Sequence, residues 1–303
     1  MGTMRVDPNF VQNLINPLEA TSNTEQQLTA ELSSGIAYTA IGQDPVGAAQ
    51  NTVLMNQIST DDSFVQTAGT VESQLQVSDS ALSSVVSELT SAISYATEGN
   101  NGTLNASDLT IISQQLEGIR TNILSLANSS YLGQYVFAGS QGTTQPFTLD
   151  TGPSPATVTY NGDENTQTLD TPSGQSLQLN IPGNQIFTAS GANVFTALND
   201  LIANFSNGTA NSSTESDVAA LNAAVGNVSQ QRVIVGNSLN QIQASSTYAQ
   251  SEVTQLDSAQ NALIGTNQAT VATELSTTET TQSALESVIA TLEKNNLFNY
   301  LPQ

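Results

Sequence analysis

An apolar stripe of unusual length limits what this chain can fold into more than any other feature. It reads Leu54, Ile58, Asp61, Val65, Ala68, Glu72, Leu75, Asp79, Leu82, Val86, Leu89, Ile93, Ala96, advancing by alternate steps of four and three. That spacing keeps one face of an α-helix turned towards a partner helix, as in a coiled coil. Pro45 suits a first helical turn, with Asp44 before it as cap, and Glu98-Gly99-Asn100-Asn101-Gly102 stops the run. At about 1.5 Å per residue, a helix over residues 45–97 extends roughly 80 Å, longer than a compact domain of this size holds. The stripe therefore predicts a helical rod.

Three further stripes repeat the pattern. The first is Val11, Leu14, Leu18, Thr21, Glu25, Leu28, Leu32. Pro17 inside it removes a backbone donor and predicts a kink or a late helix start, and Gly35 predicts a left-handed cap at its end. Another is Leu109, Ile112, Leu116, Ile119, Ile123, Leu126, with Ser107 as the expected cap; its short polar connection makes it an antiparallel neighbour of the long helix. After a helical run at 194–205, the last stripe runs from Val218 through Leu256, slips register near Gly265 and resumes as Val271, Leu275, Thr278, Gln282, Leu285, Ile289, Leu292.

Between residues 135 and 195 the period falls to two, and Gly, Pro, Asn and Thr punctuate it, predicting about four to six short strands. Asn161-Gly162 is the dipeptide that a tight hairpin turn prefers. Such a small β module must lean on the helices or on a neighbour to stay folded. Tyr135 and Phe137 are expected to pack at its junction with the helices. The expected fold is thus mainly α with a β insertion: a long antiparallel helical rod carrying a small β-rich domain mid-chain. Its expected parts are a terminal coiled-coil assembly segment (1–43 with 266–303), a helical rod domain (44–134 with 196–265) and the β-rich insert (135–195).

Composition narrows the chemistry. The 303 residues hold 4 Lys plus Arg against 26 Asp plus Glu, a net charge of −22. Four scattered cations cannot neutralise a phosphate backbone, so neither nucleic acid nor an anionic membrane is an expected partner. With 0 Cys and 0 His, thiolate ligands, disulfides, cysteine nucleophiles and imidazole bases are excluded. Paired carboxylates could still act on a sugar. Asp61 and Asp62 are adjacent, however, so their side chains diverge on a helix, and both are expected on a solvated surface. No catalytic residue, cofactor site or metal site is expected. No apolar run reaches the roughly 18 residues a membrane span needs, and residues 1–10 carry no pattern of a cleaved secretory signal.

The two terminal stripes cannot hide their apolar edges within one molecule, because two helices offer too few partners and Thr21, Glu25, Thr278 and Gln282 interrupt the seam. The expectation is that these ends become helical on assembly, burying Leu14, Leu18, Leu28, Leu32, Leu285, Ile289, Leu292, Leu297 and Phe298 against other subunits. Gly35, Gly42, Asp44 and Pro45 would form a joint between terminal helix and shaft.

Several stretches bear a resemblance. LSSG followed by a short spacer and DPVGAA resembles the N-terminal pattern of the bacterial flagellin superfamily, and Asp-Pro-Val is similar to its hook-associated protein 3 family, which forms the hook-filament junction. YLGQYVFAGSQGTTQPF resembles that family's entry into its variable domain, TYNGDE its β-hairpin, and ATELSTTETTQSALESVIATLEKNNLFNYL its C-terminal helix and ending. The four occur in family order over nearly the whole chain. The resemblance implies a non-enzymatic extracellular structural protein, exported without a cleaved signal through the flagellar type III apparatus with a cytoplasmic chaperone. It also implies a short self-associated ring between hook-associated protein 1 and flagellin subunits. The chain departs from the family in lacking basic residues just after LSSG, where it has Ile36-Ala37-Tyr38-Thr39-Ala40. Any salt bridge made there by relatives has no counterpart here. The competing readings are a filament flagellin, a non-flagellar extracellular coiled-coil adhesin and, more remotely, a glycan-active enzyme.

Overall fold

The computed structural model describes residues 10–37 and 44–294, with the side chains of residues 10–14 and 292–294 outside the description. Its elements, in order, are α1 (Phe10–Ser34), α2 (Pro45–Gly99), α3 (Ala106–Ala127), β1 (Ser130–Tyr131), β2 (Gln134–Tyr135), β3 (Phe147–Asp150), β4 (Thr157–Tyr160), β5 (Thr168–Asp170), β6 (Ser176–Gln178), α4 (Gly183–Phe187), α5 (Val194–Ser206), α6 (Ser212–Ile264) and α7 (Gln268–Lys294). The chain is mainly helical with a small antiparallel strand region mid-chain, as the change of period from 3.5 to two anticipates. It divides into two compact units, Thr60–Ser251 and the residues up to Ser59 with those from Glu252 onward, so the boundary falls inside α2 and α6.

The unit at 60–251 has one continuous apolar core. Phe64, Ala68, Val71, Leu75, Leu82, Leu89 and Ala96 from α2 share it with Leu109, Leu116 and Ile123 of α3, Leu198 and Leu201 of α5, and Leu221, Val228, Val235 and Ile242 of α6. Ala68, Ala92 and Ala96 of α2 and Ala224 of α6 are small side chains within this core, and small residues let helices approach closely. Polar bonds fix the register of the helices. Arg232 Nε donates to Asp79 Oδ1 at 3.0 Å, Gln243 Nε2 to Glu72 Oε1 at 2.6 Å, and Asn122 Nδ2 to Glu88 Oε1 at 3.1 Å. The seam's Glu72 and Asp79 are thereby paired across to α6. Arg120, although nine-tenths buried, is in no close ion pair among the described residues; its guanidinium donates to Asn199 Oδ1 on α5 at 3.0 Å, and burial lowers its pKa while the charge of Glu117 acts the other way.

The strands form three separate two-stranded antiparallel ribbons, β1-β2, β3-β4 and β5-β6, too small to stand alone. They lean on the helices through aromatic rings. Phe147 lies 5.1 Å from Tyr160, 5.2 Å from Phe187 and 5.4 Å from Phe195, centroid to centroid. Phe137 meets Phe187 edge-on at 5.6 Å, so it packs at the junction as its position in the sequence suggested. Asn128, the C-cap of α3, clasps β3 from both sides: its Nδ2 donates to Phe147 O, and Phe147 N donates to its Oδ1, each at 2.9 Å. Burial pushes the Tyr160 hydroxyl up to about 12, and that hydroxyl donates to the Phe137 and Asp163 carbonyls.

Several local expectations are corrected. Asn161-Gly162 does not turn the hairpin: β3 and β4 are joined through 151–156, and Asn161 extends their pairing by donating from N to Pro146 O at 2.8 Å. Gly162 is needed for close approach instead, since a Cβ there would meet the Tyr160 hydroxyl at 2.5 Å and Ala138 O at 2.8 Å. The cap of α3 is Asn105, which accepts from Ser107 N and Asp108 N while Asp108 reaches back to Asn105 N. This reciprocal pairing outcompetes a cap at Ser107, which has no such partner three residues on. Asp61 is fully buried rather than on the surface, because it occupies a seam position between Ile58 and Val65; Asp62 next to it is exposed. Of the two outcomes expected at Pro17, the late start does not occur: helix α1 starts at Phe10 and runs through Pro17.

Candidate assembly interface

The unit containing both terminal helices is built from the breaks in the sequence. Gly35 ends α1 in the left-handed region (φ 72°), donating its N–H to Glu31 O at 2.8 Å. Asp44 opens α2, its Oδ1 accepting from Val46 N at 3.0 Å and Gly47 N at 2.9 Å, with Pro45 as the first helical residue. Gly42, between them, lies outside the described residues. What the sequence did not reveal is that the break at Gly35 and the slip at Gly265 are tied together. Thr266 N donates to Gly35 O at 3.0 Å and Ala37 N to Ile264 O at 2.7 Å, with Ile36 and Gly265 bridged antiparallel. The shared signal was an isolated Gly at the end of each long stripe.

Beyond this clasp α1 packs antiparallel on α7. Leu28 of α1 and Val271 of α7 are buried, and they are the buried apolar side chains of this unit among the described residues. Leu18, Leu32, Leu285 and Ile289 are half-buried, while the side chains of Leu14 and Leu292, and all of Leu297 and Phe298, lie outside the described residues. Towards the middle of the pair the layer is polar. Ala20, Thr21 and Thr24 face Thr277, Thr278 and Thr281 across a cavity of about 250 Å³. Each of these threonine hydroxyls donates to the carbonyl four residues earlier, so none bonds across the seam. Buried Glu31 accepts from Gln27 Nε2 at 2.9 Å within α1, and Gln282 Oε1 is buried without a partner.

Apolar groups remain outside the seam: Val46, Val53 and Met55 on α2 and Val288 on α7 are each about half or more exposed. No group of three or more acidic side chains placed to hold a metal occurs among the described residues, and no helix there is long and apolar enough to cross a membrane. The arrangement offers packing surface.

Comparison with known proteins gives a consistent set of relatives. The family described as bacterial flagellin N-terminal helical region matches residues 9–142. "Flagellar hook-associated protein 3" of Salmonella typhimurium is 30% identical over 165 residues, 54% of this chain and 50% of that protein, so the match spans half the relative's length. The Escherichia coli protein of the same name is 26% identical over 238 residues, 71% of this chain and 73% of the relative. Among solved structures, a putative flagellar hook-associated protein from Vibrio parahaemolyticus shares the fold at a TM-score of 0.66 and 19% identity, covering 73% of this chain and 99% of that one.

Proposed function

We propose, from the premise that this chain belongs to the flagellin superfamily on its hook-associated protein 3 branch, that it is a structural subunit of the bacterial flagellum joining hook to filament. The observation that carries the reading is the under-filled α1–α7 seam: of its described apolar positions only Leu28 and Val271 are buried. A two-helix unit of this kind completes its core by adding helices from other subunits. Residues 1–43 and 266–303 are then the assembly segment, with Leu14, Leu18, Leu28, Leu32, Leu285, Ile289, Leu292, Leu297 and Phe298 at the interface and Gly35, Gly42, Asp44 and Pro45 as the joint. Residues 44–134 with 196–265 form the shaft, and 135–195 the insert. The partners are hook-associated protein 1 on the hook side, flagellin on the filament side and further copies in a short ring. Head-to-tail contacts of this sort do not close on themselves, so one protein type can continue the lattice of another.

Export fits the same reading: a chain delivered unfolded through the type III apparatus, kept soluble by a chaperone, reaches the flagellum without a cleaved signal. The role is mechanical, with no catalysis. In a strain lacking this protein, hooks should form and flagellin should spill into the medium. Deletion that leaves filaments attached refutes the junction role. Because the matched family also takes in flagellins, a filament subunit is the second reading; it requires purified protein to grow long filaments unaided, and none are expected.

A further inference from the structure

The tip of the β1–β2 ribbon is built against its own conformational preference. Tyr131-Leu132-Gly133-Gln134 reverses the chain in two residues, with Tyr131 paired to Gln134 and Ser130 to Tyr135. Both turn residues have positive φ, 49° at Leu132 and 79° at Gly133, as a type I′ turn requires. Gly is at ease there, and Asn or Asp is the usual companion; Leu is not, because its Cβ crowds the backbone. Leu132 is the one non-glycine residue with positive φ among the described residues. It is also the most exposed of their large apolar side chains, at 79%. One side chain thus carries an unfavourable backbone and an unfavourable contact with water. Strain of this kind persists where a surface uses it.

The surface beside the tip is concave. An open groove of about 570 Å³ runs along one face of α2, with Gln76, Val77, Ser80 and Ser84 on one side and Leu126 and Tyr131 on the other. None of its lining residues is charged. On a molecule of net charge −22, two like copies repel unless they meet where acidic groups are absent, and this groove is such a place.

We propose that Leu132 of one copy seats in this uncharged groove of a second copy, making a side-by-side contact between the 60–251 units. Tip and groove belong to one unit, so each copy presents a knob and a socket. This deepens the junction reading, resting on it only for the expectation that copies lie beside one another. It adds a contact remote in sequence from the terminal helices.

The absence of Cys makes the test clean. Purified full-length chains carrying Gln134→Cys, which leaves Leu132 in place on the same turn, are mixed, at high concentration under mild oxidation, with chains carrying Ser80→Cys or, as control, Ser216→Cys on the first turns of α6. The expected result is a disulfide-linked pair of Gln134→Cys with Ser80→Cys and none with Ser216→Cys. Equal yields with the two, or no pair with Ser80→Cys, overturn the contact. Leu132→Asn is the second variant. It should raise the thermal midpoint slightly, since Asn tolerates positive φ, and weaken self-association roughly tenfold or more through loss of the buried side chain. Unchanged association overturns the proposal. In flagellated cells, cross-linking of Gln134→Cys to a different flagellar protein in place of a second copy does so too. The purified-chain assays need no flagellum, so their failure leaves the junction role standing, and a failed deletion phenotype leaves this contact measured in its own right.

Discussion

The 60–251 unit and the α1–α7 pair are written in the same alternation of threes and fours, yet they use it differently. In the first, helices α2, α3, α5 and α6 contribute to one core, and Leu82, Leu89, Leu116, Leu198, Leu221 and Val228 are fully buried there. In the second, the same spacing leaves most of the described seam half-buried, and its middle layer is threonine. A heptad says which way a side chain points; how far it is buried depends on how many helices meet at that edge. Four helices enclose a seam, and two cover one side of it. Polar residues follow the same division. Glu72, Asp79 and Arg120 in the first unit each find a specific side-chain partner on another helix, whereas the threonines of the pair turn back to their own helices.

The largest expected effects lie in the aromatic cluster. Phe147→Ala, which removes a fully buried ring touching Tyr160, Phe187 and Phe195, should destabilise the 60–251 unit by about 3–5 kcal/mol in urea denaturation. Leu28→Ala, in the thin pair, should cost about 2 kcal/mol and be seen as faster amide exchange confined to α1 and α7. Equal losses at the two sites would mean that the two units are packed alike. Next comes Asn199→Ala, which strips the buried Arg120 guanidinium of its partner and should cost about 2–3 kcal/mol; Arg120→Met in the same background should recover part of it.

A smaller effect depends on pH. Burial, with a lesser contribution from the Asp200 charge, pushes the Asp217 carboxyl up to about 6. The folded state then holds a proton that the unfolded chain has released, so stability falls as pH rises from about 4 to about 6. Asp217 is partly solvated, so the change should be on the order of 1 kcal/mol after screening, and Asp217→Asn should flatten it. The smallest effect should come from Thr278→Val, which keeps the shape of the threonine layer and swaps a hydroxyl for a methyl. It should stabilise the α1–α7 pair by about 0.5 kcal/mol in exchange measurements. A loss instead would mean that the hydroxyl layer itself holds the pair together.

Much of this was legible from residue spacing. The stripe at 54–96 and the stops at Gly35 and Glu98–Gly102 mark helices that form where expected, because helix faces and caps depend on neighbours within a turn or two. The Asp44-Pro45 start is local in the same sense. The candidate interface was legible as a pattern, in that the interrupting Thr21 and Thr278 coincide with the weakly packed layer. Asn161-Gly162 misled because its role is set by Tyr160 and Ala138, one of them more than twenty residues away. Asp61 is buried because its place in the seam, and not its adjacency to Asp62, sets its surroundings.

Sequence by itself determined the periods, the caps, the poverty in cations and the absence of Cys and His, because each is a property of one residue or of neighbours along the chain. Only the tertiary structure decided that Gly35 and Gly265 clasp each other, that Asn128 holds Phe147, that Arg120 rests on an amide and that Leu132 stands exposed at a strained tip. Those pairings join residues distant along the chain, and their energies come from burial and distance, which exist only once the helices have met.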